Sequence, residues 1–112
     1  MECIFCKIVA GSLPAKKVRE DELMLAFHDI APKAPTHILV IPKKHVGSLA
    51  EVTVSDEALL GRLLGAVAEI AREQGLGRGY RVVISTGAEG GQTVDHLHLH
   101  LLGGRQMHWP PG

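Results

Sequence analysis

Residues 96–102 read His-Leu-His-Leu-His-Leu-Leu, three imidazoles at alternate positions of an apolar run. Imidazole titrates near neutrality, so it can act as nucleophile, proton carrier or metal ligand. In an extended strand alternate side chains share a face, about 6.8 Å from one to the next. His96, His98 and His100 then form a row, and Leu97, Leu99 and Leu101 point the other way into a core. The bland reading is a solvent face that carries histidine by accident, and three in strict alternation weigh against it. One zinc shared by all three is also disfavoured, because ligands at about 2.0–2.1 Å cannot span that spacing without a bend. Separate duties are preferred, with one ring as nucleophile or proton donor on a face left open to solvent or ligand.

Three other stretches carry chemistry. The loop GAEGGQT, residues 87–93, immediately precedes the histidine run. Its glycines allow backbone N–H groups to approach an anion, and Gln92 and Thr93 add side-chain donors. Alone it is an ordinary hairpin loop; beside an imidazole it suggests a phosphate held for attack. It lacks the Gly-Lys-Ser/Thr ending of a phosphate loop, so a magnesium-dependent NTPase is not indicated. In AFHDI, Phe27 and Asp29 fall on one side of a strand. A carboxylate beside an aromatic ring suits a nucleoside, accepting from the ribose diol while the wall packs on the base; a surface Asp ending a strand is the plain alternative. In CIFC, Cys3 and Cys6 are spaced for zinc, yet a closed site needs two more ligands, which must be histidines. A redox pair usually follows a strand, and none is expected there.

These groups need elements to position them. The chain has 112 residues, enough for one domain, 1–112, with its own core. Twelve basic and twelve acidic residues cancel, so no net field draws the chain to nucleic acid or an anionic membrane. Few aromatic residues are available to stack single strands. No apolar stretch approaches the roughly 20 residues of a membrane span, and no secretory leader is recognisable. A cytoplasmic location with reduced thiols is expected. Residues 3–10 read as a short helix, and KKVRE with LMLAFHD as a hairpin. HILVIP, 37–42, reads as a buried strand ending at Pro42. Residues 55–74 have helical spacing, with Ser55 as N-cap and Gly75 as the stop. YRVVIS (80–85) and HLHLHLL (96–102) supply two more strands. The fold class is α+β: a mainly antiparallel sheet with one principal helix on a face.

Taken together, these residues resemble the histidine-triad (HIT) family, in particular its Hint branch of purine nucleoside phosphoramidases. The family motif, His-φ-His-φ-His-φ-φ with φ apolar, stands here as HLHLHLL. The resemblance extends through IFCKIVAGSLPAKKV, LAFHDIAPKAPTHILVIPKKHV, GYRVV and GGQTVDHLHLHLLGGRQMHWPPG, nearly the whole chain. It implies a five-stranded sheet that dimerises into a ten-stranded one. It implies that His98 attacks the α-phosphorus and becomes a nucleotidyl-histidine, that His100 holds the phosphate or its bridging atom, and that His37 completes the group. Gly91 and Thr93 would contact phosphate and Asp29 the ribose. Ile4, Phe5, Ile8, Phe27 and Ile30 would surround the purine. His108 and Trp109 would lie near the partner's site. No metal would be needed at the reacting centre.

The chain departs from the animal Hint pattern twice. Ser85 stands where that pattern has Asn, a shorter donor toward phosphate or leaving group. The cysteine pair instead resembles bacterial members, which hold a structural zinc with two cysteines and two histidines, here Cys3, Cys6, His45 and His96. The implied activity is hydrolysis of P–N bonds in substrates such as AMP-lysine. The competing readings are a nucleotide-binding regulatory or scaffold protein, a dinucleoside polyphosphate hydrolase, and a catalytic zinc enzyme built on the histidine row.

Overall fold

A computed structural model describes residues 3–112. A short helix α1 (Ile4–Val9) is followed by β1 (Lys17–Glu20), β2 (Met24–His28) and β3 (Thr36–Pro42). Two 3-10 turns, Leu49–Glu51 and Val54–Asp56, lead into α2 (Glu57–Glu73). The last strands are β4 (Tyr80–Val83) and β5 (Leu99–Gly103). The five strands form one sheet in the order β1-β2-β3-β5-β4, with every neighbouring pair antiparallel. No helix among the described residues is long and apolar enough to cross a membrane.

Both faces of the sheet are covered, which explains the near-continuous apolar run of β3. Met24, Ala26, Ile38, Val40, Leu99 and Leu101 pack with Leu63, Val67 and Ile70 of α2. The expected direction of the leucines therefore holds, and Leu97 joins the same cluster. On the opposite face Leu25, Phe27, Leu39 and Ile41 pack with Cys3 and Phe5 from α1 and its cap. This second layer corrects the expectation of an open histidine face: His96 is wholly buried and His98 nearly so.

The β5 boundary is a second correction. Val40 pairs with Leu99, so continuing the register would set Pro42 opposite Leu97. Proline has no N–H to give to a ladder. The chain before Leu99 bonds differently: Leu97 N–H donates to Val46 O at 2.6 Å, and the His96 ring meets Pro42 O. His96 and His98 thus precede the strand, and the three rings do not form a straight row. β4 is likewise shorter than expected, ending at Val83, the partner of His100.

The principal helix begins at Glu57 rather than Ser55. Ser55 lies inside the preceding 3-10 turn, and the Asp56 carboxylate accepts Thr53 N–H at 3.1 Å, fixing the entry. The stop at Gly75 agrees with the reading: its φ is +73°, and Leu76 N–H reaches Ala71 O at 3.0 Å.

Leu101 is fully buried between sheet and α2. Leu101→Ala is expected to lower the unfolding free energy by about 2–5 kcal/mol. Urea titration of the variant measures it, and an unchanged midpoint would contradict this packing.

Candidate active site

His98 lies beside the start of β5 with its ring against Phe5, centroids 5.2 Å apart and nearly perpendicular. Its Nδ1 is 2.7 Å from the carbonyl oxygen of His96. A carbonyl only accepts, so Nδ1 must carry the proton. In the uncharged ring Nε2 then keeps its lone pair. That is the form a nucleophilic imidazole requires.

His37 on β3 and His100 on β5 form a second chain of bonds. Lys33 N–H donates to His37 Nδ1 at 3.0 Å. In neutral His37 the proton therefore sits on Nε2, 2.9 Å from His100 Nδ1. His100 accepts there and has its own Nε2–H left to donate. The His100 ring lies 4.9 Å from that of His98, so the Nε2–H donor of one ring and the Nε2 lone pair of the other belong to neighbouring side chains. Asp29 Oδ2 is 3.4 Å from His37 Nε2, while Oδ1 accepts Ala31 N–H at 2.8 Å. Asp29, His37 and His100 are close enough to hold an ion. The Lys33 amide opposes this, because it occupies Nδ1 and leaves a proton on the nitrogen that would have to ligate.

Burial pushes His100 down to about 4, aided by the neighbouring His98 and His37 and opposed by Asp29. Burial also lowers His37, with Asp29 pulling it back and Lys33 adding to the depression. His100 is thus a neutral donor at physiological pH.

The glycine-rich loop is built more tightly than an anion cradle of free amides. The N–H groups of Gly87, Gly91 and Gln92 are donated to Gln92 Oε1, Ala88 O and Gly87 O. Gln92, expected as a donor to ligand, is instead a strut: its Nε2 donates to Gly47 O at 2.7 Å and Val94 O at 2.9 Å. Gly91 is needed for its φ of +80°, and Gly90 because a Cβ there would lie 2.3 Å from Thr86 O. The Thr93 side chain is exposed just before the histidines. Val82 and Ile84 pack into the α2-side core, and Ser85 follows beyond the end of β4, partly buried.

A cavity of 670 Å³ opens beside this group, lined by Pro14, Lys16, His28, Asp29, Ile30 and His37 among others. Phe5 and Phe27 meet edge to face at 5.6 Å beneath the sheet's second face, and Ile8 packs with them. Ile4 is half exposed and Ile30 wholly so, so neither belongs to a formed apolar wall in the isolated chain. Pro14, Lys16 and His28 were not singled out from the sequence. Only the position of His28 between Phe27 and Asp29 hinted at it. His108 and Trp109 are exposed, and their segment is tied to β4 by Arg81 donating to His108 O at 2.8 Å.

On the far side of Phe5, Cys3, Cys6, His45 and His96 converge, with their ligand atoms within 4.8 Å of one another. His96 Nδ1 is 3.3 Å from Cys3 Sγ, 3.6 Å from Cys6 Sγ and 3.1 Å from His45 Nδ1. Cys6 Sγ lies 3.2 Å from His45 Nδ1. Ligands at about 2.3 Å for sulfur and 2.0–2.1 Å for nitrogen around a tetrahedral ion are about 3.5 Å apart, so this donor set fits zinc. His96 Nε2 is 2.9 Å from Pro42 O, which places the proton on Nε2 and turns the Nδ1 lone pair inward. Cys3 is also the N-cap of α1, accepting from Cys6 N–H.

The HIT domain family model matches residues 10–107. The chain belongs to the HIT domain family. It is 58% identical over 111 residues to a HIT-like protein of Synechococcus elongatus, covering 99% of this chain and 97% of that one. It is similar to the crystal structure of a HIT family hydrolase from Legionella pneumophila: TM-score 0.98, 52% identity, 99% of this chain and 100% of the other. A histidine triad nucleotide-binding protein from Candida albicans aligns with TM-score 0.84 and 33% identity, over 97% of this chain and 83% of that one. The HIT fold of these neighbours is the sheet and helix arrangement described above.

The depressed His100 pKa has a sign. Its folded value lies below the ordinary 6.5, so the native state binds fewer protons between the two. Stability is therefore expected to fall as pH drops from about 6.5 to about 4. His37 acts in the same direction. Ring-nitrogen NMR should give His100 a midpoint near 4, and His100→Gln should flatten the urea-stability profile in that window. A midpoint near 6.5 would overturn the neutral-donor assignment.

Proposed function

We propose that the chain is a hydrolase of the Hint type, cleaving the P–N bond of purine nucleoside phosphoramidates such as AMP-lysine. The observation that carries this reading is the 2.7 Å bond from His98 Nδ1 to His96 O, which leaves Nε2 as the attacking lone pair. The likeness to the Legionella neighbour, a HIT family hydrolase, and to the Candida neighbour, a histidine triad nucleotide-binding protein, supports it.

In the first step His98 Nε2 bonds to the α-phosphorus as the bond to the amine breaks. The amine leaves with a proton taken from solvent, which the attacking water gives back in the second step. In the second step water attacks phosphorus, the phosphorus–His98 bond breaks, and nucleoside monophosphate is released. The sum is phosphoramidate plus water giving monophosphate plus amine. His100, neutral and donating through Nε2–H, stabilises charge on the phosphoryl oxygens or bridging atom. His37 holds His100 in that tautomer. Asp29 receives the ribose hydroxyls through lone pairs not engaged by Ala31. The base is read as lying by Phe27, Phe5 and Ile8, with Ile4 and Ile30 at its exposed edge. Thr93, Ser85 and the Gly91 turn face the phosphate.

Cys3, Cys6, His45 and His96 are proposed to hold a structural zinc. Four protein ligands leave no open coordination position, so its chemistry is to bind the N-terminal segment to the sheet and add folding energy. The whole chain is read as one HIT domain. Its β4 edge, where Tyr80 is exposed, is proposed to pair with a second copy into a ten-stranded sheet. Light scattering should then give twice the chain mass, and a monomer at micromolar concentration would contradict the pairing.

His98→Ala is expected to lower turnover of an adenosine phosphoramidate by at least about 10²-fold with the fold retained. Release of AMP and amine by the parent chain is the readout. Undiminished turnover by the variant would remove His98 from its role.

A further inference from the structure

His96 belongs to two sites at once. Its ring is one of four convergent ligand groups, and its main-chain carbonyl accepts the Nδ1–H that sets the tautomer of His98. We propose that the Cys3–Cys6–His45–His96 cluster is a positioning unit for the His98 nucleophile, so that an ion held there governs the ring's tautomer and aim without touching substrate. This deepens the nucleotidyl-histidine reading and rests on it.

Two ties run from the cluster to His98, and a third to the glycine-rich loop before it. The first is the His96 peptide itself. Its plane is held on one side by the ring, bonded to Pro42 O, and on the other by Leu97 N–H on Val46 O. Val46 directly follows the ligand His45, so two ligands brace the carbonyl from both ends. The second is Phe5, which lies between Cys3 and Cys6 in sequence. Its ring meets His96 at 5.9 Å and His98 at 5.2 Å, both nearly perpendicular. Holding both sulfurs therefore presses one aromatic edge against the nucleophile. The third is Gly47 O, two residues beyond His45, which receives Gln92 Nε2 and so anchors the glycine-rich loop to the same segment.

Without an ion the His96 Nδ1 lone pair is left to accept a proton from His45 Nδ1 at 3.1 Å or from a thiol. That is a weaker tie than a cation bound to all four groups at once, and the groups are freer to spread. Spreading frees the His96 peptide to rotate. His98 then loses the acceptor on Nδ1, its two neutral tautomers become comparable, and fewer rings present a lone pair at Nε2.

The test uses the full chain with ¹⁵N-labelled histidine. Zinc-loaded protein, the same protein after chelation, and the ligand variants Cys6→Ser and His45→Asn are compared by long-range ¹H–¹⁵N spectra, with circular dichroism confirming the fold. Cys6 and His45 are the more exposed ligands, so these changes spare the buried half of the cluster. The loaded chain should show His98 as a single Nδ1–H tautomer. Chelated and variant chains should show both tautomers, and kcat for an adenosine phosphoramidate should fall about fivefold, the worth of one orienting hydrogen bond. Reloading the chelated chain with cadmium, a diamagnetic ion suited to thiolate and imidazole ligands, should restore both readouts to the zinc values. A single, unchanged His98 tautomer in folded, metal-free or variant chain overturns the proposal. A kcat that follows the identity of the ion overturns it in favour of direct metal chemistry. Absence of turnover in every form would defeat the phosphoramidase reading, while the tautomer comparison would still decide the positioning.

Discussion

The site depends on a backbone ladder that stops in the right place. β3 ends in Pro42, which has no N–H, and the segment before Leu99 cannot continue the pairing with it. The carbonyls released there are taken by imidazoles: Pro42 O by His96 and His96 O by His98. Each bond sets a tautomer, and the two tautomers are opposite. His96 carries its proton on Nε2 and offers Nδ1; His98 carries its proton on Nδ1 and offers Nε2. The same side chain, two residues apart, offers Nδ1 in one case and Nε2 in the other.

Burial then separates the duties further. α1 packs on the sheet face opposite α2, and its Phe5 stands between the cysteine–histidine cluster and the His98 ring. The three histidines of the run therefore sit in three environments rather than on one exposed row. His96 is enclosed with thiols, His98 lies under Phe5, and His100 shares a hydrogen bond with His37 across the β3–β5 pair. The low pKa of His100 follows from that enclosure and makes it a donor that stays uncharged. Local rigidity serves the same end, since the amides of Gly87, Gly91 and Gln92 are bonded within the glycine loop and Gln92 ties it to Gly47.

Much of this was legible from residue order. Alternation in HLHLHLL predicted which way the leucines point, because a pleated chain sends neighbours to opposite faces and both α2 and β3 are apolar there. Helical spacing from Leu59 to Ala71 and a glycine at 75 located α2 and its end, though the N-cap slipped by one residue, from Ser55 to Asp56, where Asp56 and Thr53 build a 3-10 turn. The spacing of Cys3 and Cys6 announced a two-ligand half-site, and family likeness pointed to His45 and His96 as the other half. Legibility failed where a bond joins distant segments. Nothing local marks the Lys33 amide as the group that sets His37, or Gln92 as a strut.

By itself, then, the order of residues determined the element types, the inward leucines, the inventory of imidazoles and thiols, and membership of the HIT domain family. These depend on periodicity and on short motifs, which act within a few residues. Only the tertiary structure decided which nitrogen of each ring holds a proton, which histidine face is covered, and which ring is charged at a given pH. Those properties are set by carbonyls, rings and burial contributed by parts of the chain tens of residues away, brought together when the sheet closes between its two helical layers.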